Sequence, residues 1–204
     1  VIRFVSRDGL AIVTLDRPGK ANSLTAGMLA DLVAAFDRIA AADDVRAVVL
    51  TGAGKVFSAG ADLDEAKAGL ATSPEWERLS GRIGALPCLT IAALNGTLAG
   101  GAFGMALACD LRIAVPEARF FYPVMRLGFL PQPSDPLRLA GLVGPARARM
   151  ILMAGQRIGA PEALAWGLID RIAEPGYLMD AARALAADAL GAAPGHVAAI
   201  KAMI

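Results

Sequence analysis

Histidine occurs once and cysteine twice in these 204 residues, and aromatic side chains make up only 5% of them. The lone His196 lies close to the C-terminus and cannot by itself build a histidine-rich metal site. Cys88 and Cys109 each fall inside an apolar run. They read as buried, reduced thiols of a cytoplasmic protein rather than as a disulfide framework. Charge of neither sign dominates: the formal net charge is +1 and no basic block stands out. Nucleic acid and the membrane surface are therefore not expected partners. No apolar run reaches the roughly 20 residues of a transmembrane helix. The opening residues, 1–7, read as a strand and not as a signal peptide.

What the chain does have is aliphatic bulk. Hydrophobic residues make up 56%, which with so few aromatics predicts an alanine-rich core of helices and buried strands. The length suits one domain, or one domain with an appendage. Residues 2–6 and 10–16 flank Asp8-Gly9 as a hairpin. Thr25 is placed to cap a helix whose apolar face carries Met28, Leu29, Leu32, Val33, Phe36 and Ile39. Residues 45–51, 89–94 and 111–115 are nearly continuous apolar strands of the kind found in parallel sheets. Residues 119–121 read as extended, 126–136 as a loop, and the chain from Leu137 onward as mostly helical, with a short strand at 168–172. Strands alternating with helical runs predict an α/β fold with parallel strands.

The chain is organised around residues 94–110. An apolar strand reaches Asn95-Gly96, and the adjacent glycines Gly100 and Gly101 then open an alanine-rich helix. One reading is a tight packing turn. The other is a cradle in which backbone N–H groups at a helix start hold an anion, or an oxygen that becomes one. The glycine spacing is not a dinucleotide fingerprint, and Thr51-Gly52-Ala53-Gly54-Lys55 is not a phosphate-binding P-loop. A second small-residue loop, residues 52–62, leads into a helix with Asp62, Asp64 and Glu65 in its first turn.

The two loops, Ser58-Ala59-Gly60-Ala61-Asp62 and Asn95-Gly96-Thr97-Leu98-Ala99-Gly100-Gly101, resemble the paired signature of the crotonase superfamily, the enoyl-CoA hydratases and isomerases. Residues 15–24, 45–52, 108–114 and 163–170 also resemble that family, in the same order. The resemblance implies a spiral of ββα units over 1–140 carrying the acyl-CoA site. It also implies a mainly helical region over 141–204, incomplete because relatives continue beyond the point matching Ile204. It implies homo-trimers or hexamers, an acyl-CoA partner, and coenzyme A entering as part of the substrate, with no separate cofactor and no metal.

Residue by residue, the resemblance assigns the backbone N–H groups of Ala59 and Gly101 to an oxyanion hole for a thioester carbonyl. It places Lys20, Ala21, Gly60, Ala61, Asp62, Leu63 and Gly100 along the CoA path. Asp62 also reads as a helix-start residue, and Lys20 and Arg17 as solvated loop charges. The family's two catalytic glutamates would fall at Gly104 and Val124, neither of which can carry a proton. Ordinary hydration, which needs a general base and a general acid, is therefore not expected. Substitutes are Asp135, which also reads as a helix cap, and Tyr122, which also reads as a pocket wall. Gln132 stands where some relatives carry an aspartate. Arg126 reads as a partner for an acidic acyl group or as a structural ion pair, and Ser58 as a nucleophile only if a base reaches it. Trp76 and Trp166 are expected as apolar anchors, and residues 125–130 as acyl-pocket wall or core. The functions implied are enolate chemistry on an acyl-CoA, of isomerase or decarboxylase type, or else a non-catalytic acyl-CoA binder. A structural subunit with a vestigial pocket is the third reading.

Overall fold

The computed structural model describes all 204 residues. The chain opens with the expected hairpin, β1 (Ile2–Arg7) and β2 (Leu10–Leu15), turning at Asp8-Gly9, both in the left-handed region. Helix α1 (Ala26–Ala40) follows, and Thr25 caps it by accepting a hydrogen bond from the Met28 N–H at 3.2 Å. Its six predicted face residues are all buried.

Three successive units then share one plan. Strand β3 (Ala47–Gly52) is followed by the short β4 (Val56–Ser58) and by α2 (Leu63–Lys67) and α3 (Glu75–Gly84). Strand β5 (Leu89–Leu94) is followed by β6 (Thr97–Ala99) and α4 (Phe103–Ala108). Strand β7 (Leu111–Ala114) is followed by β8 (Arg119–Phe121), α5 (Val124–Leu127) and α6 (Asp135–Val143). The long strand of each unit joins one sheet and the short strand a second, so the chain winds as a spiral. Beyond them lie α7 (Pro145–Leu152), β9 (Ile158–Gly159), α8 (Ala160–Trp166), β10 (Arg171–Ile172), α9 (Leu178–Gly191) and α10 (His196–Lys201).

The large sheet has the order β1-β2-β3-β5-β7-β10 and the small one β4-β6-β8-β9. Apart from the hairpin and the β8–β9 pair, all pairings are parallel. Central strands β3 and β5 are buried along nearly their whole length, which is why they lack polar alternation. Helix α9 packs on β3, β5 and β7. One continuous core runs from Leu10 to Ala186, spanning both sides of residue 140. No helix is long and apolar enough to cross a membrane.

Several local expectations need correction. Residues 119–121, read as extended, form strand β8, but the rest of the small sheet is not legible in the sequence because its strands are only two or three residues long, with β4 and β6 beside glycine-rich loops. Strand β6 therefore intervenes where a direct turn into a helix is expected. Residues 126–136 are not all loop, since α5 reaches Leu127. The late strand shrinks to Arg171–Ile172. Asp135 is not a helix cap. It is the first residue of α6, after Ser134, and the Ser134 N–H is taken by Glu77 Oε2 at 3.1 Å.

Candidate active site

The two glycine loops meet because neither has a side chain in the way. Gly60 has φ +93°, and a Cβ there would lie 2.9 Å from the Ala99 carbonyl oxygen. Any other residue would push the loops apart. The loop over residues 17–24 clamps the first of them from outside through Asn22, which is fully buried. Its Oδ1 accepts from the Arg17 N–H at 2.8 Å. Its Nδ2 donates to the carbonyls of Ala53 and Val56 at 2.9 and 2.7 Å.

Beside the junction lies an open cleft of ≈ 120 Å³. One side consists of Ala59, Ala61, Gly100 and Gly101 from the two loops. The rest is Leu63, Ala66 and Ala71, the ring of Trp76, and Tyr122, Pro123, Val124, Leu127, Phe129, Leu130 and Gln132. No carboxylate, amine, guanidinium, imidazole, hydroxymethyl or thiol lines it. Trp76 is more than an anchor: a Cβ on Gly101 would meet its ring at 3.2–3.3 Å. Its indole N–H is spent on the Leu70 carbonyl at 2.8 Å.

The first-loop N–H expected to face a thioester oxygen is already paired. The Ala59 N–H donates to the Ala21 carbonyl at 3.0 Å and is occupied. The flanking Leu24 N–H and Asp62 N–H are likewise spent, on Gly60 and Leu24 carbonyls at 2.8 Å each. Between them, the Ala61 N–H has no acceptor in the chain, and Ala61 lines the cleft. Gly101 stands in the first turn of a helical segment that opens at Gly100, where backbone N–H groups lack intrahelical acceptors.

Other expected residues are drawn into the scaffold instead. The Ser58 hydroxyl is fully buried, donates to the Asn22 carbonyl at 2.8 Å and accepts from the Gly60 N–H, so it is no nucleophile. Asp62 caps α2 and pairs with Arg17 at 2.8 Å. The hydrogen bond from Arg17 holds its carboxyl below the usual range. Arg17 is thereby committed to this loop contact. Lys20 is exposed on the turn Pro18–Lys20, outside the cleft lining. Ala21 supplies the carbonyl that occupies Ala59. Arg126 is exposed and has no ion-pair partner. His196 lies on α10 against a separate groove. Trp166 is half-buried beneath the Arg147 guanidinium, 5.6 Å from its ring centroid. Both cysteines are free and buried, and burial pushes their thiols up to about 11 and about 12.

One carboxylate remains near the cleft, set behind its wall. Asp135 is 1% exposed. Its Oδ2 accepts from the Tyr122 hydroxyl at 2.9 Å, and that hydroxyl accepts from the Gln132 N–H at 3.3 Å. Tyr122 stacks on Phe103, with centroids 5.4 Å apart. Asp135 thus reaches the cleft only through Tyr122. Burial pushes its carboxyl up to about 7, against the Tyr122 hydrogen bond and the Arg138 charge, which lower it, while Glu77 adds to the rise. Burial, and then the Asp135 charge, also raise the Tyr122 phenol. Gly104 is buried in α4, whereas Val124 lines the cleft.

The sequence profile of the enoyl-CoA hydratase/isomerase family matches residues 6–204. The chain belongs to that family. Within it, carnitinyl-CoA dehydratase of Escherichia coli K12 is 37% identical over 205 residues, covering 97% of this chain and 77% of the relative. The crystal structure of an enoyl-CoA hydratase from Bacillus anthracis superposes with a TM-score of 0.92 at 31% identity, over 98% of this chain and 81% of that one. An enoyl-CoA hydratase/carnithine racemase structure from Magnetospirillum magneticum gives 0.91 at 29% identity, over 100% and 79%. The crotonase fold inferred from the paired loops is the fold observed. The enoyl-CoA hydratase/isomerase family acts on CoA thioesters, and this member carries a mostly apolar open cleft beside its two glycine loops.

Proposed function

We propose that this protein binds an acyl-CoA thioester with its carbonyl oxygen between the Ala61 and Gly101 N–H groups, and acts on it as a decarboxylase. The two donors stabilise the enolate oxygen. Losing one such donor typically costs roughly 3–4 kcal/mol of barrier. The carrying observation is that no carboxylate, imidazole, amine or thiol lines the cleft, and its one ionisable side chain, the Tyr122 phenol, is raised by burial and so is no base. Hydration and double-bond isomerisation both need a base within reach of the substrate. Loss of CO2 from a malonyl-type thioester delivers the enolate without one. An apolar wall also disfavours the substrate's compact carboxylate relative to the charge-dispersed transition state. Coenzyme A enters and leaves as part of the thioester.

The test offers malonyl-CoA, methylmalonyl-CoA and crotonyl-CoA to the protein and follows products by mass spectrometry. Acetyl-CoA and propionyl-CoA are expected from the first two, with crotonyl-CoA not hydrated. Efficient hydration of crotonyl-CoA would overturn this reading. Tight binding of all three without any product would instead establish the second reading, a non-catalytic acyl-CoA binder, which the same bare wall favours.

A further inference from the structure

Gly104 and Asp135 share one volume. A Cβ on Gly104 would stand 2.9 Å from Asp135 Oδ1 and 3.4 Å from Oδ2, so the carboxyl occupies the hollow that a glycine leaves in α4. In that hollow, Oδ1 is the only buried side-chain polar atom of the protein without a hydrogen-bond partner. A buried carboxylate with a bare oxygen is costly, and the neutral acid escapes most of that cost. The groups facing it are the Tyr122 phenol from the segment after β8, Glu77 from α3 and Arg138 from its own helix. Glu77 is engaged by the Ser134 N–H and hydroxyl. Arg138 donates to Ser80 Oγ at 2.9 Å. Neither therefore makes an ion pair with Asp135.

Resting on the thioester reading above, we propose that Tyr122 is the proton donor to the enolate and that Asp135, held neutral in the Gly104 hollow, is the positioning residue that reloads it. In the structure the phenol donates to Asp135 Oδ2 at 2.9 Å; in the reactive state that bond reverses, the neutral acid donating its Oδ2–H to Tyr122 Oη, which frees the phenolic proton for the cleft. When CO2 has left, the Oη–H bond breaks and a C–H bond forms at the enolate carbon. The Oδ2–H bond breaks at the same time and a new Oη–H bond forms. The products are the saturated thioester, a neutral Tyr122 and an Asp135 carboxylate that accepts the phenolic hydrogen bond. Solvent then returns one proton to Asp135. The Gln132 N–H, bonded to Oη, holds the phenol in place through both states.

The experiment has two arms. NMR of protein labelled with ¹³C at the aspartate carboxyls follows Asp135 from pH 4 to pH 9, its signal assigned by its loss in D135N. A titration close to neutrality, far above the other aspartates, is expected. Titration at an ordinary aspartate value would overturn the relay whether or not a thioester is turned over. The second arm measures methylmalonyl-CoA decarboxylation in D2O against pH. For the wild type, kcat is expected to fall about tenfold per pH unit above the Asp135 titration, with deuterium delivered to one face of the product. D135N and Y122F are expected to lose that face selectivity, to slow at least tenfold and to flatten the profile, while D135E recovers part of the rate. Circular dichroism melts confirm that both variants are folded. An unchanged profile and selectivity in D135N would overturn the relay and leave the thioester reading standing. No decarboxylation by the wild type would overturn the decarboxylase reading, and the relay with it.

Discussion

Gly104 and Asp135 are matched: the absence of a side chain on α4 is what admits the carboxyl of the first residue of α6, which would lie 2.9 Å from any Cβ at position 104. In an ordinary helix interior, glycine to alanine is stabilising by roughly 0.5–1 kcal/mol. Here G104A is expected to destabilise by about 1–3 kcal/mol, the cost of overpacking a closed core. The double variant G104A/D135A is expected to recover most of that loss, giving a strongly non-additive cycle. Urea unfolding of the four proteins checks this.

The Asp135 carboxyl also makes stability depend on pH. Its folded-state pKa of about 7 stands above the ordinary 3.8. Below pH 4 the group is protonated folded or unfolded, and its contribution is fully present. As pH rises towards 7 only the unfolded chain ionises, so stability falls; above 7 the loss is complete. D135N removes this term and is expected to gain on the wild type by about 2–4 kcal/mol between pH 4 and pH 8. Unfolding at pH 4.5, 6 and 8 measures the gap, and a gap that does not widen would contradict the assignment.

The two candidate donors of the first loop are separable by replacing one backbone amide at a time with an ester, which deletes the N–H and weakens the preceding carbonyl as an acceptor. At residue 61 the expected result is a folded protein whose turnover falls by roughly 10²–10³. At residue 59 the same change removes the bond to the Ala21 carbonyl. It is expected to lower stability by about 1 kcal/mol and leave turnover within a few-fold. The opposite pattern would return the donor to Ala59.

Asn22 holds three loop segments at once, with zero exposure and φ +50°. N22A takes the side-chain partner from the Ala53 carbonyl and the Arg17 N–H and leaves the Val56 carbonyl with Asn95 Nδ2 at 3.3 Å, and is expected to cost about 1–3 kcal/mol. The cleft sits on the loops that Asn22 joins, so acyl-CoA affinity should weaken along with stability. Isothermal titration with butyryl-CoA, beside thermal melts, shows whether the two fall together.

Much of this molecule is written locally. Asp8-Gly9 sets the hairpin, Thr25 and a 3.6-residue apolar period set α1, and unbroken apolar runs set β3, β5 and β7, because turn chemistry, capping and burial on both sheet faces act over a few residues. The paired glycine loops carry the family for the same reason: small residues are needed wherever two backbones approach, and Gly60 against Ala99 is such a place.

Which backbone N–H is free was decided elsewhere. Ala59 and Ala61 are both small loop residues, and only the approach of residues 17–24 occupies one and spares the other. Arg17, Asp62 and Ser58 carried chemistry-bearing side chains, yet folding spends them on one another and on the backbone. Asp135 reads in sequence both as a substitute acid or base and as a helix cap. It comes to lie behind the cleft because α6 docks its first residue into a hollow on α4, about thirty residues away in sequence and adjacent in space, a relation unreadable from either helix alone. Composition, period and turn residues fix which elements form. Hydrogen-bond partners and burial, which turn a residue into a donor, a scaffold pin or a stored proton, exist only once distant segments are packed together.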